Sequence, residues 1–381
     1  MDSVALPEQI EELRSATAKI VDDLLEHELE FHRTNVVPAQ VEQVLREVGF
    51  YSLRIPEEYG GSAVGMLASA AVNMELGRLP PQFWPYLRVA FGPTTKALVL
   101  HGSTAQKERW LPAIGSGECG VSFVLTEPEA GSDLAAMKTR AERVDGGYRL
   151  NGSKTYISNA ANADLFLVFA RTDPEKRLKG GISTFLIPSG RKGLTVSPPM
   201  PTMGSTLHGL YEVHFEDCFV PAEDLLGTEG DGFLYAMESL NEGRLNVGAI
   251  AIAMGQMAVD LTIEHTKERV VQGKPLAINQ VVQHMIVNAQ IDLHAGRLML
   301  LDAARNIDAG VDASAAAAMV KIFCTEAASR AIDTAVQLFG AAGLIRGVQV
   351  ERLYRDIRSL RIYEGASEVL RNFVGRKLFS S

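Results

Sequence analysis

Close to the C-terminus the chain reads Arg361-Ile-Tyr-Glu-Gly-Ala-Ser-Glu368, with one carboxylate, Glu364, set between an Ile–Tyr pair and a Gly–Ala–Ser run. A carboxylate beside apolar and aromatic groups is poorly hydrated, which raises its proton affinity and suits it to act as a base. The plainer account is a first-turn helix carboxylate favoured by the helix dipole, and the fragment alone fits that account. Upstream, Arg352, Arg355, Arg358 and Arg361 recur every three residues. At helical spacing they form a basic, solvated face.

Two further stretches carry groups that can hold a ligand. In FVLTEPEAGSD (123–133) an extended run reaches Thr126-Glu127-Pro128 and gives way to a loop with Gly131, Ser132 and Asp133. Glycine lets backbone approach a ligand, and a serine hydroxyl can meet a phosphate or an amide. An ordinary strand-to-loop turn uses the same residues. In LNGSKTYISNA (150–160), Tyr156 and Ser158 stand two apart, on one face of a strand. An aromatic and a hydroxyl so placed can stack on a ring and bond to its edge; a plain strand face shows the same pattern.

Other motifs fail on context. Gly115–Gly120 spells G-x-G-x-x-G, but a helix-like AQKERWLPAI precedes it and a strand-like VSFVL follows. A dinucleotide fingerprint needs the reverse order, so this is a connecting loop. His27 and His32 in HELEFH are five apart, which turns them about 140° from each other on a helix and rules out a shared metal on one face. No Walker loop, nucleophile elbow or CxxC occurs, and no metal site is expected.

The elements that must carry these groups fall into three textures. Residues 1–120 are helical: apolar residues recur every three or four positions in PEQIEELRSATAKIVDDLLEHELEFH and PAQVEQVLREVGF, with PEEYGG as a turn. Over 121–225 the period drops to two. YEVHFEDCFV alternates Tyr211, Val213 and Phe215 with Glu212, His214 and Glu216, and Asp145-Gly146-Gly147 marks a hairpin turn. Over 226–381 the helical period returns in three long segments, 236–272, 277–310 and 313–340. The expected fold is mainly α with a central antiparallel β domain between an N-terminal helical domain and a C-terminal four-helix bundle.

Composition excludes several partners. The 381 residues are 46% hydrophobic with formal charge −9, which suits a globular protein of two or three domains and argues against nucleic acid. The three cysteines, Cys119, Cys218 and Cys324, are far apart, pointing to a reducing compartment. The N-terminus lacks a basic region followed by an apolar run. The most apolar stretch, 247–259, is too short to span a bilayer, and Val247, Ile250, Met254, Met257 and Leu261 mark it as a buried helix. A cytoplasmic location without membrane contact is expected.

In their order and separations, TEPEAGSD (126–133), NGSKTYISN (151–159) and VERLYRDIR…IYEGASE (350–368) resemble the acyl-CoA dehydrogenase family over essentially the whole chain. The resemblance implies FAD held between the β domain and the C-terminal bundle, with an acyl-CoA thioester against the flavin. Phe123, Leu125, Thr126 and Ser132 match the segment that holds the isoalloxazine, Ser132 also lying near the pyrophosphate and the CoA chain. Tyr156 matches an aromatic, usually Trp, that packs on the ring. Ile157 adjoins it, and Ser158 matches a hydroxyl that bonds flavin N5. Arg269, Gln280, Gln337, Gly340 and Ala341 match positions that reach the FAD of a neighbouring subunit, implying a homotetramer or homodimer. Ala366, Ser367 and Glu368 match a further FAD contact, and Asn241, Arg244 and Gly365 match substrate contacts.

Glu364 then matches the base that takes the α-proton of the thioester while the β-hydrogen leaves as hydride, giving a trans-2-enoyl-CoA. The expected electron acceptor is an electron-transfer flavoprotein. One branch of the family carries its base directly before the arginine matching Arg244; here that position is Gly243. Departures from the family pattern are Tyr156 for Trp, Gln272 for an aromatic, Ala341 for Gly and Asn241 for Asp. The segment PQFWPYLRVAFGPTTKAL is expected to line the acyl pocket, with Arg88 either at the surface or on a substrate carboxylate. Related readings on the same fold are an acyl-CoA oxidase, a flavin monooxygenase or a desulfinase; a non-catalytic CoA-binding protein is the reading from another class.

Overall fold

The computed structural model describes residues 6–34, 36–84, 92–204 and 209–380. Arg88 lies outside the described residues, and with it the question of its carboxylate. Six helices come first: α1 (Glu8–Leu25), α2 (Glu28–Thr34), α3 (Ala39–Glu47), α4 (Met66–Leu76), α5 (Pro93–His101) and α6 (Thr104–Gly115). Every residue of α4 is buried, which explains its all-round run of small and apolar side chains. Its N-terminus is closed by Asp308, whose carboxylate accepts the backbone N–H groups of Met66 (2.5 Å) and Leu67 (2.9 Å). α6 opens with a capping box, Ser103 accepting from Gln106 N and the Gln106 side chain from Ser103 N.

The β part contains β1 (Val121–Val124), β2 (Arg140–Val144), β3 (Gly147–Ser158), β4 (Leu165–Arg171), β5 (Ile182–Pro188), β6 (Leu194–Val196) and β7 (Leu210–Pro221). The sheet order is β1-β4-β2-β3-β7-β6, with β5 added to β4. β2 and β3 form the hairpin expected at Asp145-Gly146, pairing Val144 with Gly147. Most pairs are antiparallel, while β1 lies parallel to β4. In β7, Tyr211, Val213 and Phe215 are buried and His214 and Glu216 exposed, as the alternation requires.

The third part begins with α7 (Gly232–Glu268), a helix of 37 residues. The apolar segment expected to run through Gln272 breaks after Glu268. A short hairpin follows, β8 (Val270–Val271) and β9 (Lys274–Pro275), turning at Gln272-Gly273, where both φ angles are positive (51° and 78°). Two left-handed residues suit a tight hairpin and cannot continue a helix. Then come α8 (Gln280–Asp308), α9 (Ser314–Phe339), α10 (Gln349–Leu360) and α11 (Ser367–Phe379). α9 is the central post, packed most extensively on α7 and also against α8, α10 and α11. α7 is long and apolar enough to cross a membrane, yet 72% of its apolar window is buried inside the protein.

One expectation fails here. The arginines of α10 do not form a wholly solvated face. Arg352 is fully buried, with Nε 2.6 Å from Glu28 Oε1 and Nη1 3.6 Å from Asp356 Oδ2. A buried guanidinium persists when carboxylates meet it, and Glu28 of α2 supplies one from far away in sequence. Arg358 is exposed.

Candidate functional site

Between α10 and α11 the chain makes a turn in which two consecutive residues are left-handed, Glu364 at φ 53° and Gly365 at φ 101°. Gly365 adopts this without a Cβ penalty, whereas Glu364 stores strain that its surroundings must offset. Two cations hold the pair by its carbonyls. Arg244 Nε of α7 donates to the Glu364 C=O at 3.4 Å, and Lys321 Nζ of α9 donates to the Gly365 C=O at 2.8 Å. Arg244 is itself oriented by Asn241, whose Oδ1 accepts from Nη1 at 2.9 Å.

The Glu364 carboxylate is directed onto α7 at Gly243. A Cβ built on Gly243 would lie 2.8 Å from Glu364 Cδ and 2.9 Å from Oε1. Any side chain there would displace the carboxylate. Gly243 thus keeps open the space that Glu364 fills, a role beyond being unable to act as a base.

The electrostatics follow from burial. Burial lowers Arg244, and the charge of Glu364 opposes this. Lys321 is pulled down to about 8 by burial, with Glu364 the largest opposing influence. Tyr363 is raised well above the usual phenol range by burial and then by the charge of Glu364. Three groups on three elements therefore feel one carboxylate in a region of weak screening.

The second group of expected residues lies on β1, β3 and the loop between β1 and β2. Thr155 N donates to Thr126 O at 3.0 Å, and the Ser122 hydroxyl donates to Ser158 O at 2.8 Å. These bonds bring Phe123, Leu125 and Thr126 beside Tyr156, Ile157 and Ser158. Tyr156 occurs at an irregularity in the β3–β7 register, at φ 57°, and is 61% exposed between buried Thr155 and Ile157. A large exposed ring beside a strand is open to stack on a planar ligand. Together with the Thr126 and Ser158 hydroxyls it fits a flavin ring. Ser132 is exposed on the loop.

Two residues that the sequence reading passed over fix this loop. Lys154 is fully buried, its Nζ 2.9 Å from Glu127 Oε1 and 3.0 Å from Leu125 O. Glu127 also accepts the N–H groups of Lys138 (2.6 Å) and Thr139 (3.0 Å). Burial pushes Lys154 down to about 8, with Glu127 pulling it back. Burial works against the Glu127 charge, but Lys154 and the backbone donors outweigh it and hold the carboxyl below its usual range. In the sequence, both lie inside the motifs TEPEAGSD and NGSKTYISN, yet nothing local says that they meet.

A third group is remote. Arg269 and Gln337 are exposed where α7 and α9 end, joined by the stacked His265 and Phe339 rings (centroids 4.1 Å apart). Gln280, Gly340 and Ala341 are exposed nearby in sequence. Along α9, Gln337 is about 24 Å from Lys321 at 1.5 Å per residue. One chain does not bring this group to Glu364. Ala366, Ser367 and Glu368 open α11, immediately after the Glu364 turn. Among the described residues no cluster of His, Cys, Asp and Glu is placed to hold a metal.

Models of three acyl-CoA dehydrogenase domains match consecutive parts of the chain: the N-terminal domain over residues 7–118, the middle domain over 122–218 and the C-terminal domain over 230–379. A 3-(aryl)acrylate reductase of Clostridium sporogenes is 34% identical over 94% of this chain and 97% of its own. Butyryl-CoA dehydrogenase from Megasphaera elsdenii superposes with a TM-score of 0.93 at 30% identity, covering 99% of this chain and 100% of its own. A chain in the structure of the electron-transferring flavoprotein of Acidaminococcus fermentans gives 0.94 at 32% identity, covering 100% of both.

Proposed function

The chain belongs to the acyl-CoA dehydrogenase family, and from that premise we propose that it is an FAD-dependent enzyme acting on the α,β-bond of an acyl-CoA thioester, with Glu364 as the base. The observation that carries this is the Glu364 carboxylate lodged in the space left by Gly243, beneath a left-handed turn pinned by Arg244 and Lys321. Glu364 removes the α-proton. Its backbone N–H polarises the thioester carbonyl, so that charge developing there is met by a fixed dipole. Gly365 takes the left-handed conformation of the turn and contacts the substrate beside the base. Asn241 and Arg244 contact the substrate from α7.

Phe123, Leu125, Thr126, Ser132, Tyr156, Ile157 and Ser158 hold the flavin end of FAD, and Ala366, Ser367 and Glu368 contact it from α11. When bound, FAD supplies the acceptor for the electrons that leave with the β-hydrogen. Arg269, Gln280, Gln337, Gly340 and Ala341 serve the FAD of a neighbouring copy. Their distance from Glu364 within one chain supports this, as do the exposed apolar side chains around them: Val270, Val271, Ile278, Leu344 and Ile345. The chain then works as a homodimer or homotetramer, which light scattering tests. Electrons pass to an electron-transfer flavoprotein, a reading supported by the likeness to a chain solved in such a structure. Three buried free thiols suit the cytoplasm.

The test is anaerobic flavin absorbance on addition of butyryl-, palmitoyl-, isobutyryl-, 3-phenylpropanoyl- and glutaryl-CoA. One class is expected to bleach the wild type and not Glu364→Gln. The relative named as an aryl-acrylate reductase favours a second reading in the opposite direction. In it Glu364 donates the proton to the α-carbon, and a 2-enoyl-CoA reoxidises the dithionite-reduced protein. Bleaching by no thioester, with flavin present, removes the dehydrogenase direction.

A further inference from the structure

Lys321 has no exposed surface, and its ammonium meets the Gly365 carbonyl at 2.8 Å. A carbonyl dipole compensates a buried cation only in part; a buried ammonium needs a carboxylate in reach. The carboxylates acting on Lys321 through space are Glu364 first and Glu326 after it. Glu326 is already engaged by Arg371 at 2.8 Å. Glu364 is therefore the principal countercharge of Lys321, on a turn that Lys321 also holds by its backbone.

We infer that Lys321 is the positioning residue for Glu364, pinning the left-handed Glu364–Gly365 pair and setting a positive charge near the carboxylate. The inference rests on the proposed role of Glu364 and assigns that role its support. Its bond is the shorter of the two that hold the turn, Arg244 reaching the Glu364 carbonyl only at 3.4 Å. α9 carries it as a rigid arm, packed on four other helices. The Glu364 charge is felt by Arg244 from α7, Lys321 from α9 and Tyr363 from its own turn; Arg361 and Glu326 act in turn on Lys321, and Arg371 of α11 on Glu326.

The test uses the thioester among the five above that bleaches wild-type holoenzyme fastest. Lys321→Met is expected to keep its flavin, lose about tenfold or more in kcat with KM within about threefold, and move the acid limb of kcat to higher pH, because a cation that favoured the ionised base is gone. Lys321→Gln, which can still donate to the Gly365 carbonyl without charge, is expected to recover part of kcat and keep the displaced limb. If Lys321→Met holds flavin and matches wild type in both kcat and acid limb, Lys321 merely fills the core and the inference is overturned. Should Met not fold, an acid limb in Lys321→Gln that coincides with wild type overturns it equally. Glu364→Gln runs alongside: full bleaching in that variant defeats the base assignment itself, whereas an inert Glu364→Gln with unaltered Lys321 variants defeats only the present inference.

Discussion

The β part and the helical bundle each bury one lysine completely, and each uses it to grip a backbone carbonyl: Lys154 that of Leu125, Lys321 that of Gly365. Burial brings both down to about 8. They differ in their carboxylates. Lys154 is closed by Glu127 at 2.9 Å, and Glu127 is further occupied by two backbone donors. Lys321 is matched chiefly by Glu364 acting through space. A carboxylate bonded to a buried ammonium and two backbone N–H groups holds structure and has little basicity left. Lys321 instead bonds the backbone of the turn that carries Glu364, which positions the carboxylate. The same device makes a joint in one region and, with Glu364 as the proposed base, carries a reactive group in the other.

The comparison breaks most visibly at the two carboxylates. Glu364→Gln should slow flavin bleaching by about 10²–10⁴-fold, the usual worth of a general base. Glu127→Gln should act first on stability. Leaving the Lys154 ammonium without its partner is expected to destabilise the fold by about 3–5 kcal/mol, read by denaturant unfolding, and to loosen bound flavin, read by its released fluorescence. A variant of Glu127 that melts normally and holds flavin would erase the distinction.

Gly243→Ala sharpens the comparison from the side of space. Its methyl would displace the Glu364 carboxylate, and misplacing a catalytic group by about 1 Å costs on the order of 10²-fold. Stopped-flow bleaching should show this loss with flavin content intact. The smallest expected effect is on pH. The Glu127 carboxyl is held below its usual value of 4.5. Between that value and its folded one the unfolded chain binds more protons, so Glu127 contributes stability above about 4.5 that is lost as pH falls through the folded value. Melting temperatures from about pH 6 to 3 should therefore decline more steeply in the wild type than in Glu127→Gln.

The three-part layout and the hairpin at Asp145-Gly146 were legible because they rest on local period and turn chemistry. Glu364 became a candidate base only once its neighbours were weighed together. Lys154, Lys321 and Arg352 were not legible. Each is a charged residue inside a fold, and what permits its burial is a partner 27 to 324 positions away: Glu127, the Glu364 turn and Glu28. No window on the chain holds both halves of such a pair. The end of α7 was misjudged for a different reason. Val270 and Val271 continue the apolar pattern, and only the left-handed backbone at Gln272 and Gly273 shows why the helix must stop.

The contact between Gly243 and Glu364 also limits the routes by which such a protein can change. The place where a Gly243 side chain would begin is already filled by the Glu364 carboxylate, so the two positions are one seat with two doors. A chain that moves its carboxylate from the turn to α7 cannot pass through a state in which both are present at full size. It must empty position 364 before or while it fills 243, through an ancestor with no base or one in which both changes arrive together. A paired exchange, Gly243→Glu with Glu364→Gly, is the smallest step that leaves the seat occupied once.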